Sequence, residues 1–189
     1  PNFMQVSHVD DYESASNCCG LPFFIKPANS GSSIGIAIIN NENDFIFAFE
    51  EAYKIDKIVI VESFIVGNEY TLPIIDNKTL PIIEIKPKTE FYDYEAKYLR
   101  DDTEFICPAD VPSPLVENIN KLCINAFNAI GCTGWGRVDF IIDKNKNIYI
   151  IEVNTVPGMT NHSLVPISAR SAGIGFVDLV IMILETSNA

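Results

Sequence analysis

The sequence predicts an α+β protein built as two lobes. Two observations lead to this fold class: short β-branched and aromatic runs bounded by Gly, Pro or Asn, and two longer patterns with apolar residues at helical spacing, none of them repeated. The 189 residues, 48% apolar and 20% charged, suit one large or two small globular domains. A soft boundary at residues 62–67 divides the chain into lobes of residues 1–62 and 63–189.

Strands are predicted wherever a β-branched run ends at turn residues. Seven segments meet this description: 23–26, 35–39, 58–62, 69–75, 80–86, 135–143 and 147–153. The segment between Lys86 and Pro112 has little apolar periodicity, and loops of that length in compact domains are usually functional lids or binding loops.

Helices are predicted between these strands. Residues 40–53 carry a helical apolar face opened by Asn41 or Asn43. Ser113-Pro114 opens a capped amphipathic helix with a proline in its first turn, and this helix stops at Gly131. Residues 163–173 and 176–185 form two short helices separated by glycines.

Charge and cysteine usage exclude several classes of partner. With 13 basic and 25 acidic residues the chain carries a net charge of −12, which repels a phosphate backbone and argues against nucleic acid. The apolar run at residues 176–184 is far shorter than the roughly 20 residues that span a bilayer, so no membrane partner is expected. Five cysteines without a CxxC pair suggest buried thiols in the reducing cytoplasm rather than disulfides or zinc.

The most informative polar residues lie on the last two predicted strands: Arg137, Asp139, Glu152 and Asn154. Residues two apart share a face of a strand, so an even loop such as the turn Asn145-Lys146 places all four on one surface. An odd loop would place the two pairs on opposite faces. Two carboxylates and an amide oxygen suit Mg²⁺ that is also held by phosphates. The alternative is a solvated edge with an ordinary Arg–Asp pair.

Two further segments suit a nucleotide. Residues 26–35, rich in Gly and Ser, let backbone amides approach a phosphate while Lys26 supplies charge, although a simple hairpin turn explains them equally well. Residues 59–69 run from a strand into a linker with Glu62 and Glu69 at its ends; linker backbone groups suit a purine edge and a carboxylate suits ribose hydroxyls. Surface glutamates flanking a turn are the alternative.

Two other patterns complete the survey. Tyr92–Tyr98 places Lys97 among tyrosines, as in a lid over an anionic site or in an amphipathic surface loop. His162 and Ser163 lack the GxSxG elbow of a hydrolase, so Asn161 and Ser163 are interpreted as donors to a small carboxylate at the start of the helix that follows.

In order, these segments resemble the D-alanine–D-alanine ligases of the ATP-grasp family. The matching strings are LPFFIKPANSGSSIGI, VIVESFIVGNEYTLPI, FYDYEAKY, FICPAD, GCTGWGRVDFIID and YIIEVNTVPGMTNHSLVP. The resemblance implies an ATP-grasp fold with antiparallel or mixed sheets packed on helices and the nucleotide between two lobes. Residues 1–62 would be part of the central lobe and 63–189 the C-terminal lobe. The N-terminal domain of the family, which carries a glutamate for the first D-alanine, and an upstream ATP lysine are expected to be absent from this sequence.

The resemblance also assigns residues to the nucleotide. ATP would contact Lys26, the flexible loop with Ser32 and Ser33, Glu62, the linker residues Ser63, Phe64 and Ile65, Glu69, and Lys97 of the lid. The cofactors implied are ATP and two Mg²⁺ ions, with Mn²⁺ as a substitute.

The remaining roles concern metal and substrate. The resemblance makes Asp139, Glu152 and Asn154 the metal ligands. It places four residues beside the reacting groups: Arg137, Lys97, Ser32 and Tyr98. The second substrate would be bound by Tyr98, Arg137, Gly158, Ser163 and Leu164.

The function implied is the ATP-dependent joining of two D-alanines through an acyl phosphate, for peptidoglycan precursor synthesis in the cytoplasm. The lid motif EAKY with Tyr98 favours D-alanine over D-lactate as acceptor. The full-length enzyme would be a homodimer, and the present residues alone are not expected to turn over. The alternatives are a ligase that uses D-serine or D-lactate and an inert nucleotide-binding segment.

Overall fold

The structure is a computed structural model that describes residues 1–31, 34–86 and 103–187. The described residues fall into two compact units. The first is Pro1–Val66, and the second comprises Gly67–Lys86 and the residues from Thr103 onward. The first unit includes the linker residues 63–66.

The first unit is a four-stranded antiparallel sheet in the order β1-β4-β2-β3. Its strands are β1 (Phe3–Val6), β2 (Phe23–Pro27), β3 (Ala37–Ile39) and β4 (Val59–Ser63). Its helices are α1 (Tyr12–Cys19), which follows a short 3₁₀ turn at Val9–Asp11, and α2 (Glu42–Ile55). Helix α2 begins where the sequence predicts because the Asn41 side chain accepts a hydrogen bond from the Asp44 amide.

Alternation along the strands separates the core of this unit from its polar face. Phe23 and Ile25 of β2 are fully buried and pack with residues of α2, whereas the intervening Lys26 is only partly buried. In β4, Val61 is fully buried and Glu62 is partly buried. Because side chains alternate, Lys26 and Glu62 both lie on the face opposite the core.

The second unit contains a six-stranded antiparallel sheet with the path β10-β9-β5-β7-β8, and β6 pairs with β5. The strands are β5 (Gly67–Ile75), β6 (Lys78–Thr79), β7 (Ile83–Lys86), β8 (Glu104–Ile106), β9 (Trp135–Asp143) and β10 (Ile148–Asn154). The helices are α3 (Ser113–Ala129), α4 (Leu164–Ser171) and α5 (Phe176–Thr186).

Strand β9 divides its side chains in the same way. Val138 and Phe140 are buried in a core that includes Ile119, Cys123 and Phe127 of α3. The alternate residues of the strand, among them Arg137 and Asp139, are only partly buried and point to the other face. All five cysteines are free thiols. Among the described residues no single helix is long and apolar enough to cross a bilayer; only the pair α4 and α5, bent by 110° at the break between them, reaches that length and composition.

Several elements differ from the sequence prediction. Strand β1, helix α1 and strand β8 were not predicted, because β1 and β8 are only four and three residues long and α1 has few apolar residues. The single strand predicted over 80–86 is replaced by β6 and β7, with Pro81, which has no backbone N–H, between them. Helix α3 begins at Ser113 with Pro114 in its first turn, but no side chain caps it.

Candidate active-site residues

The four polar residues of the last hairpin come together on one face. In the β9–β10 pair Arg137 lies opposite Asn154, and Asp139 lies opposite Glu152. The Asn154 Nδ2 donates to Asp139 Oδ2 at 3.0 Å and approaches Glu152 Oε1 at 3.4 Å. The pairing that the sequence predicts is therefore confirmed.

The route to this pairing differs from the prediction. The hairpin closes through the three residues 144–146, since the Asp143 amide donates to the Asn147 carbonyl at 3.0 Å and Lys146 has a positive φ of 66°. This odd loop alone would set Glu152 across from buried Val138. A β-bulge between Ile150 and Glu152 inserts one extra residue and returns Glu152 to the face of Asp139. The predicted two-residue turn is wrong, and the bulge compensates for it.

Asp139 is the centre of this polar cluster. Arg137 donates two parallel hydrogen bonds of 2.8 Å to Asp139, from Nε to Oδ1 and from Nη2 to Oδ2. Thr71 of the neighbouring strand β5 donates from Oγ1 to Asp139 Oδ1 at 2.5 Å. Thr71 is fully buried and was missed by sequence reasoning. The signal was available, because Thr71 is two residues from Glu69 on a predicted strand and so shares its face.

The cluster fits a hard divalent cation. Asp139, Glu152 and Asn154 supply two carboxylates and one amide oxygen, the donors that Mg²⁺ prefers. The donors of Arg137 and Asn154 now point at these carboxylate oxygens, where a cation would otherwise supply positive charge. No group of three or more His, Cys, Asp or Glu that could hold a metal occurs within residues 1–31, 34–86 and 103–187. Phosphate or water oxygens would therefore have to complete the coordination.

Lys26, Glu62 and the linker residues 63–65, which are predicted to bind the nucleotide, lie in the first unit. Lys26 Nζ lies 2.6 Å from Glu62 Oε2, and about a fifth of each side chain is exposed, 21% and 18%. In the β2–β4 register Phe24 lies opposite Glu62, and its ring centroid is 5.2 Å from that of Phe64. A lysine, a carboxylate and two aromatic rings thus occupy neighbouring positions.

Ser63 anchors the linker that follows β4. Its amide donates to the Asn2 carbonyl at 2.9 Å, and its hydroxyl donates to the Cys19 carbonyl at 2.8 Å. Both donors of Ser63 are therefore used within the first unit. A purine edge would have to use backbone groups of the partly buried residues Phe64 and Ile65 or the Ser63 carbonyl. Glu69 lies on β5 of the second unit, two residues before Thr71.

Three of the residues predicted for the second substrate, Gly158, Ser163 and Leu164, lie at or near the start of α4. Ser163 Oγ accepts from the Thr160 amide and lies 2.9 Å from Thr160 Oγ1, and the Ser163 amide donates to the Thr160 carbonyl. A Cβ on Gly158 would lie 2.9 Å from Ser163 Oγ, so this position favours glycine. Leu164 is the first residue of α4, where backbone N–H groups have no partner within the helix. The backbone carbonyl of Asn161 accepts a hydrogen bond from Arg170 Nη2.

Part of the predicted site lies outside the described residues. This applies to Ser32, Ser33, Lys97 and Tyr98. Gly35 ends the Gly- and Ser-rich residues 26–35. This position favours glycine, because φ is 75° and a Cβ would lie 2.7 Å from Ile55 Cδ1.

Comparison with known proteins finds a family whose model matches nearly the whole chain. A family model described as "D-ala D-ala ligase C-terminus" matches residues 3–185. The chain is 45% identical over 186 residues to "D-alanine--D-alanine ligase B" of Chromobacterium violaceum, covering 98% of this chain and 61% of that protein. The chain thus spans less than two thirds of the length of this relative.

Solved structures agree with the sequence comparison. A D-alanine--D-alanine ligase from Bacillus anthracis complexed with ATP matches with a TM-score of 0.81 and 34% identity, covering 99% of this chain and 60% of that one. The VanG D-Ala:D-Ser ligase from Enterococcus faecalis matches with a TM-score of 0.85 and 28% identity, covering 98% and 56%.

The two antiparallel sheets packed on helices, together with the match to a solved D-alanine--D-alanine ligase, place the chain in the ATP-grasp fold class. Within that class, the chain belongs to the D-alanine–D-alanine ligase C-terminus family. The resemblance and the fold class expected from the sequence are both confirmed.

Proposed function

We propose that this chain is the part of a D-alanine–D-alanine ligase that binds ATP and Mg²⁺. The observation that carries the proposal is the cluster of Arg137, Asp139, Glu152 and Asn154 on one face of the β9–β10 hairpin. The family match and the relative solved with ATP support it. The complete reaction belongs to the longer protein, of which this chain corresponds to the C-terminal portion, in the cytoplasm and as a homodimer.

Each residue expected to bind the nucleotide is assigned a contact. Lys26 binds phosphate oxygens, and Glu62 with the backbone of Ser63, Phe64 and Ile65 binds adenine. Glu69 binds the ribose. Ser32 and Ser33 belong to the loop over the phosphates, and Lys97 of the lid neutralises the γ-phosphate.

Asp139, Glu152 and Asn154 would hold two Mg²⁺ ions, for which Mn²⁺ can substitute. When bound, these ions neutralise phosphate charge and so ease attack at phosphorus. Arg137 donates to the transferring phosphoryl oxygens and then to the oxyanion at the carbonyl carbon. The two bonds from Nε and Nη2 to Asp139 fix the orientation of the guanidinium plane.

The reaction proceeds in two displacements. A carboxylate oxygen of the first D-alanine attacks the γ-phosphorus, the bond to ADP breaks, and an acyl phosphate forms. The amine of the second D-alanine attacks the acyl carbon, loses a proton, and expels phosphate. Ser163 and the Leu164 amide hold the carboxylate of this second substrate beside Gly158, and Tyr98 is assigned to the same substrate. Positioning accounts for most of such a rate enhancement.

The acceptor distinguishes this proposal from its alternatives. The VanG likeness keeps D-serine open, but the identity to that protein is lower than to the ligase from Chromobacterium violaceum. The lid motif with Tyr98 also favours D-alanine over D-lactate. Competition between D-alanine, D-serine and D-lactate in the longer protein that carries this chain decides among them.

The proposal is tested by calorimetric titration of this chain with Mg²⁺ and a non-hydrolysable ATP analogue. We expect saturable binding that requires Mg²⁺ and is lost in Asp139→Asn. Asp178→Asn, in the first turn of α5, is the matched control and should bind as the wild type does. Binding that Asp139→Asn leaves intact, or no binding at millimolar analogue, would contradict the proposal and favour an inert segment.

A further inference from the structure

Thr71 makes the shortest contact to Asp139. It lies directly opposite Asp139 in the β5–β9 register and is fully buried. Its Oγ1 is 2.5 Å from Asp139 Oδ1 and 3.3 Å from the Val138 carbonyl. A hydroxyl has only one proton to donate, and the charged and nearer acceptor receives it. The Thr71 hydroxyl is therefore committed to one oxygen of the carboxylate.

The two oxygens of Asp139 differ in their partners. Oδ1 accepts from Thr71 and from Arg137 Nε, whereas Oδ2 accepts from Arg137 Nη2 and Asn154 Nδ2. Under the proposed function, Arg137 also donates to the reacting oxygens and Asn154 turns its amide oxygen to a cation. Thr71 sits within the sheet, fully buried, with no such second role. Thr71 is thus the partner of Asp139 to which the proposed function gives no other contact.

We propose that Thr71 is a positioning residue that holds Oδ1 of Asp139 and leaves Oδ2 as the oxygen that takes the cation. This inference rests on the proposed function and adds a residue to it. Hydrogen-bond partners behind metal ligands fix ligand orientation, and their loss typically costs about 10- to 100-fold in metal affinity. Without the Thr71 hydroxyl, the orientation of the carboxylate depends on Arg137 and Asn154 alone, the two groups that have a second role in the proposed function.

The first test measures the Mg²⁺ concentration that gives half-maximal binding of a non-hydrolysable ATP analogue. Thr71→Val keeps the shape of the side chain but removes the hydroxyl, and should raise this concentration about tenfold. Thr71→Ser and Thr71→Ala both lack the methyl group and differ only by the hydroxyl, so the serine variant should remain near wild type and the alanine variant should follow valine. Thr186→Val, which loses a 2.7 Å bond to the Ile183 carbonyl on α5, is the control and should change nothing.

The second test does not depend on any ligand. A double-mutant cycle of Thr71→Val and Asp139→Ala compares the equilibrium constants for urea unfolding of the whole chain. If the hydroxyl binds the carboxylate, the two effects are coupled by about tenfold, as for a hydrogen bond to a charged group. Independent effects would show that the contact contributes nothing and would overturn the inference.

The two tests separate the possible failures. Coupling together with an unchanged Mg²⁺ requirement in Thr71→Val and Thr71→Ala would overturn the positioning role while leaving the proposed function standing. A wild-type chain without Mg²⁺-dependent nucleotide binding would overturn the proposed function, and the cation role of Thr71 with it.

Discussion

Lys26 and Glu62 form an ion pair of 2.6 Å on the face of the β2–β4 pair that points away from the core of the first unit. They are diagonal neighbours, since Lys26 lies opposite Ile60 and Glu62 lies opposite Phe24. Each is proposed to contact the nucleotide, so each neutralises the other when no nucleotide is bound. The pair lets two charged groups remain partly buried at a site that must accept a ligand.

Removing Lys26 should therefore affect stability as well as binding. Lys26→Met leaves Glu62 without its cation at 18% side-chain exposure, and we expect a loss of about 1–2 kcal/mol in unfolding free energy. Urea denaturation measures this loss. Lys54→Met is the control, because the Lys54–Glu51 pair is exposed and should contribute much less. Equal losses in the two variants would contradict the account.

The number of residues before Glu152 should set which face of β10 carries the metal ligands. Inserting an alanine between Ile151 and Glu152, with the bulge kept, places the alanine opposite Asp139 and Glu152 opposite Val138, facing the α3 core. We expect Mg²⁺-dependent binding of the ATP analogue to be lost. Deleting Ile151 removes the bulge but leaves Glu152 opposite Asp139, so this second variant should keep binding. Circular dichroism would report whether the sheet is kept, and a folded insertion variant with wild-type Mg²⁺ dependence would contradict the account.

Gly35 should not tolerate a side chain. Its φ is 75°, and a Cβ would lie 2.7 Å from Ile55 Cδ1 and 2.9 Å from Pro27 Cγ. Gly35→Ala should lose about 2 kcal/mol or more, combining backbone strain with overpacking. Gly131 has nearly the same φ, 74°, but no neighbour within 4 Å, so Gly131→Ala should show the backbone cost alone. Thermal or urea unfolding compares the two; equal costs would rule out the steric contribution.

The Cys123 thiol should make stability fall at high pH. Burial against α3 and β9, followed by repulsion from Asp139, raises the pKa of this thiol from 9.0 to about 12. The folded state therefore holds its proton between pH 9 and 12 while the unfolded state releases it, so stability is full below pH 9 and declines above it. Between pH 8 and 10 wild type should lose about 1 kcal/mol more than Cys123→Ala. Parallel pH profiles for the two proteins would contradict this assignment.

The sequence predicted how the four polar residues of the β9–β10 hairpin are placed for a clear reason. Period-two alternation on 135–143 and 147–153 placed Arg137 with Asp139 and Glu152 with Asn154, and a polar pair on one face follows from that alternation alone. The sequence does not predict the bulge, because the extra residue Ile151 is defined by the pairing between the two strands and leaves no local sequence pattern. Thr71 was missed because an isolated threonine in an apolar strand signals β-propensity as readily as a hydrogen bond to a distant carboxylate.

The first unit shows the opposite balance. The sequence identified β2, β4 and α2, whose buried faces alternate clearly. It missed β1, in which Phe3 is 67% exposed, because an edge strand of four residues gains its structure from pairing with β4 rather than from a hydrophobic pattern. The Lys26–Glu62 contact also depends on strand register, which residue spacing along the chain does not specify.

The most direct measurement is the anomalous scattering of Mn²⁺ in crystals of this chain with a non-hydrolysable ATP analogue. The account predicts a peak at a coordination distance of about 2.0–2.6 Å from Asp139 Oδ2, with Glu152 and Asn154 oxygens completing the protein ligands and Thr71 still bonded to Oδ1. A peak that avoids these three side chains, or ordered nucleotide without metal at this hairpin, would contradict the assignment of the β9–β10 face as the metal site.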